Sequence, residues 1–186
     1  MPAAMGTLDK IYEVAQDQEG YIANYQVDVS RQMFSHYEGA GRLERIQRGI
    51  YRVSHFPTSE QEDYIVAYLW SRERGGLSHE TALSIHDLSD VLPKRVHLSY
   101  PPDAPLPRDQ PEWLKLHRRE VPAEDRQWFG VVPVTTPRRT LIDLASDGFN
   151  PELFRQALDE AKERGLIPQD FERTLLVKLM TERRTQ

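Results

Sequence analysis

The sequence contains no cysteine, which excludes disulfide bonds and thiolate metal sites and is typical of a protein in a reducing compartment. It also lacks an apolar run that approaches the roughly 20 residues of a transmembrane helix, and its N-terminus lacks the charged-then-apolar pattern of a signal peptide. We therefore expect a soluble, cytoplasmic protein with no membrane partner.

Motifs for common enzyme chemistries are absent as well. The sequence has no Gly-x-Ser-x-Gly elbow for a nucleophilic serine, no Gly-Lys loop for phosphate and no Gly-x-Gly-x-x-Gly for a dinucleotide. The Gly-Ser pair and the Asp-x-Asp motif of a nucleotidyltransferase are missing too. We expect neither an enzyme nor a cofactor, although acid chemistry built from residues distant in sequence stays open.

Four histidines lie in the central part of the chain, at His79, His86, His97 and His117. His79 and His86 are seven apart, so the His-Glu-x-x-His spacing of a zinc site is absent, and no cluster of Asp or Cys accompanies them in sequence. The spacing along the chain therefore predicts no metal site.

The chain is acidic overall, with a formal net charge of -5 over 186 residues, of which 39% are apolar. This length supports one medium domain or two small ones with cores of their own. Because non-specific affinity for nucleic acid comes largely from neutralised phosphates, the acidic balance argues against a protein that coats nucleic acid indiscriminately. Any DNA binding is expected to be local and assisted by formation of a homodimer.

The charge reverses in one stretch, residues 30–53, which read SRQMFSHYEGAGRLERIQRGIYRV. This stretch holds five arginines against Glu38 and Glu44, a local charge of +3. For any single arginine, a solvated basic face is the simpler explanation. The secondary structure predicted for the same residues makes DNA the favoured explanation for the cluster.

The first half of this stretch predicts a short helix. Ser30 can cap the amides of a helix that begins at Arg31, and glycines at 39 and 41 supply left-handed positions that end it. One arc of this helix is apolar and packs, with Met33, Phe34 and Tyr37. The opposite arc carries Arg31, Gln32, Ser35 and His36. Arginine and glutamine can bond base edges in pairs in the major groove, while serine and histidine can add single contacts to bases or phosphates.

The second half predicts a basic β-hairpin. Leu43–Ile46 and Ile50–Val53 are short β-prone runs, and Gln47, Arg48 and Gly49 between them form a three-residue loop in which glycine permits positive φ. We expect the hairpin arginines to hold phosphates and the helix to read bases. The candidate DNA-binding residues are Ser30, Arg31, Gln32, Ser35, His36, Arg42, Arg45, Arg48, Tyr51 and Arg52.

The whole sequence predicts an α/β fold of the α+β kind, in two domains. Before the basic stretch, a helix carries an apolar stripe from Leu8 to Ala15, and a brief strand and a single helical turn at 24–28 follow. This is the order of a winged helix-turn-helix, which we place at residues 1–56. The segment 54–58, with Pro57, predicts the joint to a mixed α+β domain at residues 57–186.

The second domain is predicted to mix helices and strands. Ser59 with Glu62 forms a capping-box pattern before an apolar helix, and Ser78 is positioned to cap the next one. Strands are predicted at 96–100, 114–119 and 128–134, and helices at Pro137, Pro151 and Pro168. Arg138 and Arg139 open one of these helices, where pairing with nearby carboxylates is favoured over contact with DNA phosphate or a partner protein.

The order of a short helix, a Val-Ser-Arg-Gln helix and then Gly-Arg-Leu-Glu-Arg-Ile-x-Arg-Gly-Ile-Tyr-Arg resembles the N-terminal domain of AbiEi-type antitoxins. The segments LSHETALSIHDLSDVLP and VTTPRRTLIDL resemble the second domain of the same family, so the resemblance covers most of the chain. It implies a winged-helix autorepressor of a type IV toxin-antitoxin system, whose remaining domain counteracts a nucleotidyltransferase toxin. The implied partners are double-stranded promoter DNA and that toxin, with direct contact to the toxin left open.

Two other functions compete with this one. The chain can be a protein-interaction module that neutralises a toxin by direct contact and uses the winged helix as a scaffold. It can also be a stand-alone transcriptional regulator with no toxin. A DNA-binding assay distinguishes the protein-interaction module from a repressor. The presence of a nucleotidyltransferase in the neighbouring gene distinguishes an antitoxin from a stand-alone regulator.

Overall fold

The computed structural model describes residues 6–107 and 109–182, with side chains up to Leu176 in the last helix. The described residues divide into two compact units. The N-terminal unit extends to Arg74 and includes Gly130–Val132, and the C-terminal unit comprises Gly75–Phe129 and the residues from Pro133 onward. Each unit combines helices with a β-sheet, so the predicted α+β fold class is confirmed.

The N-terminal unit is built on a small antiparallel sheet. Its elements are α1 (Thr7–Gln16), β1 (Tyr21–Ala23), α2 (Arg31–Gly39), β2 (Leu43–Gln47), β3 (Ile50–Val53) and α3 (Glu62–Trp70). The sheet has the order β1-β3-β2, with Tyr21 opposite Arg52 and Leu43 opposite Val53. The core contains Ile11, Ala15, Ile22, Phe34, Leu43, Tyr51 and Val53.

The start of α2 agrees with the prediction from sequence. The Ser30 hydroxyl accepts a hydrogen bond from the Met33 amide at 3.3 Å, which satisfies one of the free amides of the first turn. Phe34 is fully buried, and Tyr37 packs against the same core. The apolar arc of α2 therefore fixes the orientation of the helix on the sheet.

The segment between β1 and α2 differs from the prediction. Residues 24–28 form turns and bends rather than a helical turn. The Gln26 side chain accepts a hydrogen bond from the Ala23 amide at 2.8 Å and bonds the Gln18 side chain, so side-chain bonds fix the segment in place of a helical ladder. The chain between α1 and α2 is thus a strand and a turn.

The hairpin is also tighter than predicted. The strand β2 continues to Gln47, and the register shifts between Arg45 and Gln47, so the connecting loop is Arg48 and Gly49. Gly49 has a φ of 79°, a left-handed value that glycine adopts without steric cost. The bulge at Ile46 absorbs the residue that the sequence assigned to the loop.

The boundary between the two units lies after Arg74. The sequence, by contrast, predicts this boundary between residues 56 and 57. The cause is α3, which packs on the first sheet. The Tyr21 hydroxyl donates to the Glu62 carboxylate at 2.6 Å, and the Tyr25 hydroxyl donates to the Leu69 carbonyl at 3.0 Å. The segment with Pro57 is therefore a connection within the N-terminal unit.

The C-terminal unit contains a second sheet and four helices among its described residues. Its elements are β4 (Gly76–Leu77), α4 (His79–Ile85), β5 (Val96–Tyr100), β6 (Leu114–Arg118), a 3-10 turn (Ala123–Asp125), β7 (Arg126–Phe129), β8 (Val132–Thr135), α5 (Pro137–Ser146), α6 (Pro151–Glu163) and α7 (Phe171–Glu182). The strand order is β6-β5-β4-β8-β7. The pair β4 and β5 is antiparallel, whereas β5 and β6, and β4 and β8, are parallel.

Two predicted boundaries in this unit are corrected. The strand predicted at 128–134 is two strands, β7 and β8, separated by a turn in which Gly130 has a φ of 56°. The last helix begins at Phe171 rather than Pro168. By contrast, α5 begins as predicted, with Pro137 in the first turn and the Thr136 side chain accepting from the Arg139 amide.

The helices of the C-terminal unit share one apolar core. It contains Leu83, Leu88, Val91, Leu141, Ile142, Leu144, Ala157, Leu158, Ala161, Ile167, Phe171 and Leu175. Burial of these side chains supplies the main stabilisation of the unit. Among the described helices, none combines the length and the apolar character that crossing a bilayer requires.

Candidate functional site

The exposed arc of α2 is the first candidate site. Ser30, Arg31, Gln32, Ser35 and His36 are all exposed, whereas Phe34 on the opposite side is fully buried. The polar side chains start in the first turn, where the helix presents its free amides. One helix therefore has a packed face that sets its position and a polar face that is accessible to a ligand.

The hairpin supplies cations to the same region. Arg42, Arg45 and Arg48 are exposed. Burial raises the pKa of the Tyr51 hydroxyl, and the charges of Arg45 and, more weakly, Arg31 oppose that rise. Arg45 lies directly opposite Tyr51 in the hairpin, and the Tyr51 ring packs on Phe34 of α2, so the strand that carries Arg45 lies beside the helix that carries Arg31.

Two of the ten candidate DNA-binding residues are not presented to solvent. Tyr51 is 6% exposed and stacks on Phe34 with ring centroids 4.9 Å apart, so it belongs to the core. Arg52 pairs with Glu44 through Nη2, and its Nη1 donates to Thr58 Oγ1 at 2.6 Å. Arg52 therefore joins β3 to β2 and to the following segment. The other eight candidates are exposed, as the sequence predicts.

The second candidate site is a buried cluster of three histidines in the C-terminal unit. His79 is the first residue of α4, His97 lies on β5 and His117 lies on β6. The His79 and His117 rings stack with centroids 3.4 Å apart and planes within 10° of parallel. The His117 Nε2 lies 3.2 Å from the His97 Nδ1, so the three rings form one continuous group.

Asp147, at the C-terminal end of α5, completes the cluster. Its Oδ2 lies 3.1 Å from the His79 Nε2 and 3.3 Å from the His117 Nδ1. Its Oδ1 accepts a hydrogen bond from Arg119 Nη2 at 2.9 Å. One carboxylate oxygen is thus held by a guanidinium, while the other faces two imidazole nitrogens.

Further polar groups hold the outer side of the rings. The Ser78 hydroxyl lies 2.9 Å from the His79 Nδ1, and Glu80 Oε1 lies 3.9 Å from the His97 Nε2. His79 also has a φ of 52°, a left-handed conformation that is uncommon for a residue other than glycine. Strained backbone of this kind is concentrated at functional sites.

The buried rings are neutral at neutral pH. Burial is the main cause, lowering the pKa of His79 to about 3 and the pKa values of His97 and His117 to about 4. Burial opposes ionisation of Asp147, but the charged guanidinium of Arg119, which bonds the carboxylate, helps to hold the pKa of the carboxyl below its ordinary value. The cluster therefore combines neutral imidazoles with an ionised carboxylate.

A network of ion pairs adjoins the cluster. Asp143 is 1% exposed, and its Oδ1 accepts hydrogen bonds from Arg139 Nε at 2.9 Å and from Arg119 Nη1 at 2.8 Å. Arg139 also donates to Asp125 at 3.1 Å, and Arg138 lies 3.7 Å from the same carboxylate. These contacts confirm the prediction that Arg138 and Arg139 pair with carboxylates.

The sequence did not predict the histidine cluster because its members lie on different elements. Spacing rules detect ligands that share one helix or loop, whereas here the parallel pairing of β5 and β6 brings His97 close to His117. The available signal was His97 within β5, a strand that is buried along its whole length, since a polar residue on a buried strand needs a specific partner. His86, the fourth histidine, instead bonds the Thr135 carbonyl at 2.7 Å.

Comparison with known proteins bears on the fold alone. No protein-family model and no curated protein matches this sequence. Among solved structures, the chain is similar to the RV2827C protein from Mycobacterium tuberculosis, with a TM-score of 0.60 and 15% sequence identity. The match covers 95% of this chain and 74% of that chain, so the two share a fold.

Proposed function

We propose that this chain is a DNA-binding antitoxin that represses its own operon, and that the N-terminal unit acts as a winged helix in which α2 reads double-stranded promoter DNA. The observation that supports this proposal is the two-sided character of α2. Phe34 is fully buried, while Arg31, Gln32 and Ser35 are exposed beside a basic hairpin.

The side chains on the exposed arc suit base recognition. A recognition helix contacts base edges with residues near its N-terminus, and Arg31 and Gln32 are the first two residues of α2. Arginine bonds guanine and glutamine bonds adenine through two hydrogen bonds each. The burial of Phe34 holds the helix so that this arc points away from the core.

The hairpin suits phosphate contacts. Arg45 lies on β2 and Arg48 in the loop, and both are exposed. A flexible cation at the tip of a hairpin can satisfy a phosphate without precise aim, which positions the protein on the duplex but carries no sequence information. Since the chain as a whole has a net charge of -5, this local basic surface favours a defined site over general coating of DNA.

The antitoxin part of the proposal depends on the sequence resemblance to AbiEi-type proteins. In that scheme the C-terminal unit counteracts a nucleotidyltransferase toxin encoded beside it, and a homodimer occupies the operator. The chain itself supplies no enzyme activity in this proposal. The toxin, the dimer and the cytoplasmic location are parts of the same proposal.

Fluorescence anisotropy with the DNA upstream of the gene tests the DNA-binding part. We expect the full chain to bind this DNA more tightly than a scrambled duplex of equal length. Arg31→Ala should lose about 1 to 3 kcal/mol of specific binding, which is about a 5- to 150-fold weaker Kd. The matched control is Arg155→Ala, an exposed arginine on α6, which removes the same charge from the other unit.

Equal losses in Arg31→Ala and Arg155→Ala would contradict the assignment of α2 as the reader. Co-expression with a nucleotidyltransferase from the neighbouring gene separates repression from toxin suppression. We expect full-length Arg31→Ala to lose repression and to keep protection. If wild type protects the cell but does not bind its upstream DNA, the chain is a protein-interaction module instead.

A further inference from the structure

The space between His79, His117 and Asp147 brings together three side chains that can each donate a lone pair. Within the described part of the chain, one ligand atom from each lies within 4.8 Å of the other two. The Asp147 Oδ2 lies 3.1 Å from the His79 Nε2 and 3.3 Å from the His117 Nδ1. In tetrahedral zinc sites with bonds of about 2.0 to 2.1 Å, neighbouring ligand atoms lie about 3.3 Å apart.

The His79 Nε2 is the atom that points most directly to a missing ligand. His79 is 1% exposed, and among the described residues its Nε2 has no hydrogen-bond partner, despite its distance of 3.1 Å from the Asp147 carboxylate. A buried polar atom without a partner costs about 1 to 3 kcal/mol, so such atoms require an explanation. A cation placed between the nitrogen and the carboxylate would satisfy both.

We propose that His79, His117 and Asp147 form a binding site for a divalent transition-metal ion of the zinc type. The ligand atoms would be the His79 Nε2, the His117 Nδ1 and the Asp147 Oδ2. This site lies in the C-terminal unit and is independent of the proposed DNA-binding function. It departs from the sequence-based expectation of no metal site, which considered only ligands close together along the chain.

The surrounding hydrogen bonds leave the required nitrogens available. With the ring proton of neutral His79 on Nδ1, the Ser78 hydroxyl accepts a hydrogen bond from it, so the Nε2 of His79 keeps its lone pair. The His117 Nε2 can donate to the His97 Nδ1, which leaves the lone pair of the His117 Nδ1 facing Asp147. Outer hydrogen bonds of this kind are typical of metal-bound histidines. Glu80 Oε1 lies 3.9 Å from the His97 Nε2, so a carboxylate faces the remaining ring nitrogen of His97 without a direct hydrogen bond.

The charge of the cluster also suits a cation. The Asp147 carboxylate faces the two imidazole nitrogens at 3.1 and 3.3 Å, so an ion between them would meet one anionic oxygen and two neutral nitrogen donors. The cations that act on the cluster are Lys115, Arg119 and, at His97, Arg95; Arg119 is paired with both Asp143 and Asp147.

The ligand set selects the class of metal. Calcium and magnesium prefer sites made of oxygen atoms, whereas imidazole favours zinc, copper, iron or nickel. Two histidines and one carboxylate leave a fourth position for water. The Asp147 side chain is 37% exposed, which gives an ion a route to the site from solvent.

Metal binding requires one change in the rings. A metal lies in the plane of the imidazole that binds it, whereas the His79 and His117 rings are stacked with centroids 3.4 Å apart. At least one ring therefore turns out of the stack. His117 is the more exposed of the two, with 10% of its side chain accessible against 2% for His79, so it has more room to turn.

Zinc titration of the tag-free full chain, stripped with a chelator, tests the proposal. Isothermal titration calorimetry with ZnCl2 should give one site per chain. His117→Gln and Asp147→Asn should each weaken binding at least about tenfold, the lower end of the loss seen even for outer-sphere partners. The controls are His86→Gln, a buried histidine outside the cluster, and Asp159→Asn, an exposed carboxylate on α6; both should bind zinc like wild type.

Cobalt serves as a spectroscopic probe of the same site. Wild type with Co²⁺ should show the visible absorption of low-coordinate cobalt, and this signal should be lost in the two ligand variants. Circular dichroism confirms that each variant is folded, and Asp147→Asn changes a partly exposed side chain that a folded protein tolerates readily. Absence of saturable one-to-one zinc binding in wild type would overturn the proposal. Unchanged binding in folded His117→Gln and Asp147→Asn would do the same.

Discussion

The two units use the same residue types in opposite ways. In the N-terminal unit, Arg31 and Arg45 are exposed beside a helix whose other face is packed. In the C-terminal unit, Arg139 is 9% exposed and bonds Asp143, which is 1% exposed. The difference shows that the number of cations in a segment does not identify a binding surface, because the topology decides whether each cation faces solvent or a carboxylate.

The energetic consequences of these two arrangements differ. An exposed arginine contributes little to folding and can form new bonds with a ligand, since surface ion pairs contribute about 0 to 1 kcal/mol. A buried charge must keep its partner, because removing one member of a buried pair leaves the other uncompensated. Substitutions of the exposed arginines in the first unit should therefore affect binding, and substitutions in the buried ion-pair network of the second should affect stability.

The largest expected effect is on the buried network. Asp143→Ala leaves Arg139 without its bond at 2.9 Å and Arg119 without its bond at 2.8 Å. We expect a loss of about 3 to 5 kcal/mol in the free energy of unfolding. Urea unfolding measures it, with Asp159→Ala on the exposed face of α6 as the control, which should change stability by less than about 0.5 kcal/mol. If Asp143→Ala loses no more stability than the control, the buried ion pairs do not stabilise the C-terminal unit in the way this comparison requires.

A smaller effect on stability is expected from the protonation of His86 as the pH falls. Burial lowers the pKa of this histidine, whose Nε2 bonds the Thr135 carbonyl at 2.7 Å. Below the ordinary histidine pKa of about 6.5, the unfolded chain takes up a proton at His86 while the folded protein does not. The contribution of His86 to the free energy of unfolding is therefore fully present above that pH and is lost as the pH falls.

The stability difference between wild type and His86→Gln should therefore shrink on acidification. The decrease should reach at most about 1.4 kcal/mol per pH unit. Urea unfolding of both proteins between about pH 7.5 and about pH 5 checks this in the window around the ordinary histidine pKa. A constant difference across the range would show that His86 is as easily protonated in the folded protein as in the unfolded chain.

The smallest expected effect is on the salt dependence of DNA binding, which should differ between Arg45 and Arg52 of the same hairpin. Arg45→Ala should remove a phosphate contact and flatten the slope of log K against log salt by about 0.9. Arg52→Ala should leave the slope unchanged, because Arg52 pairs with Glu44 and bonds Thr58. Anisotropy titrations at several salt concentrations measure both. A flatter slope for Arg52→Ala would place its side chain on the DNA after all.

Much of the N-terminal unit could be predicted from sequence. The cap at Ser30, the buried position of Phe34 and the hairpin follow from local patterns, since capping residues, helical periodicity and glycine turns act over a few residues. The side chains of Tyr51 and Arg52 could not be placed in this way. Their positions depend on the pairing of β3 with two neighbours, which no local pattern specifies.

The histidine cluster illustrates the same limit in the C-terminal unit. The strands that carry His97 and His117 were predicted correctly, yet their adjacency arises from a parallel pairing between β5 and β6. Asp147 reaches the cluster only because α5 ends beside it. The boundary between the units shifted to Arg74 for a related reason, since the bond from Tyr21 to Glu62 joins distant parts of the chain.

The most direct test of the central claim compares the sequence selectivity of two variants, Gln32→Ala on α2 and Arg45→Ala on the hairpin. Selectivity is the ratio of Kd for scrambled DNA to Kd for the upstream DNA, measured at one salt concentration. We predict that Gln32→Ala lowers this ratio by about 5- to 150-fold, the loss of one paired base contact, while Arg45→Ala weakens both duplexes alike and keeps the ratio. An unchanged ratio in Gln32→Ala, together with a lowered ratio in Arg45→Ala, would contradict the account of α2 as the helix that reads the DNA.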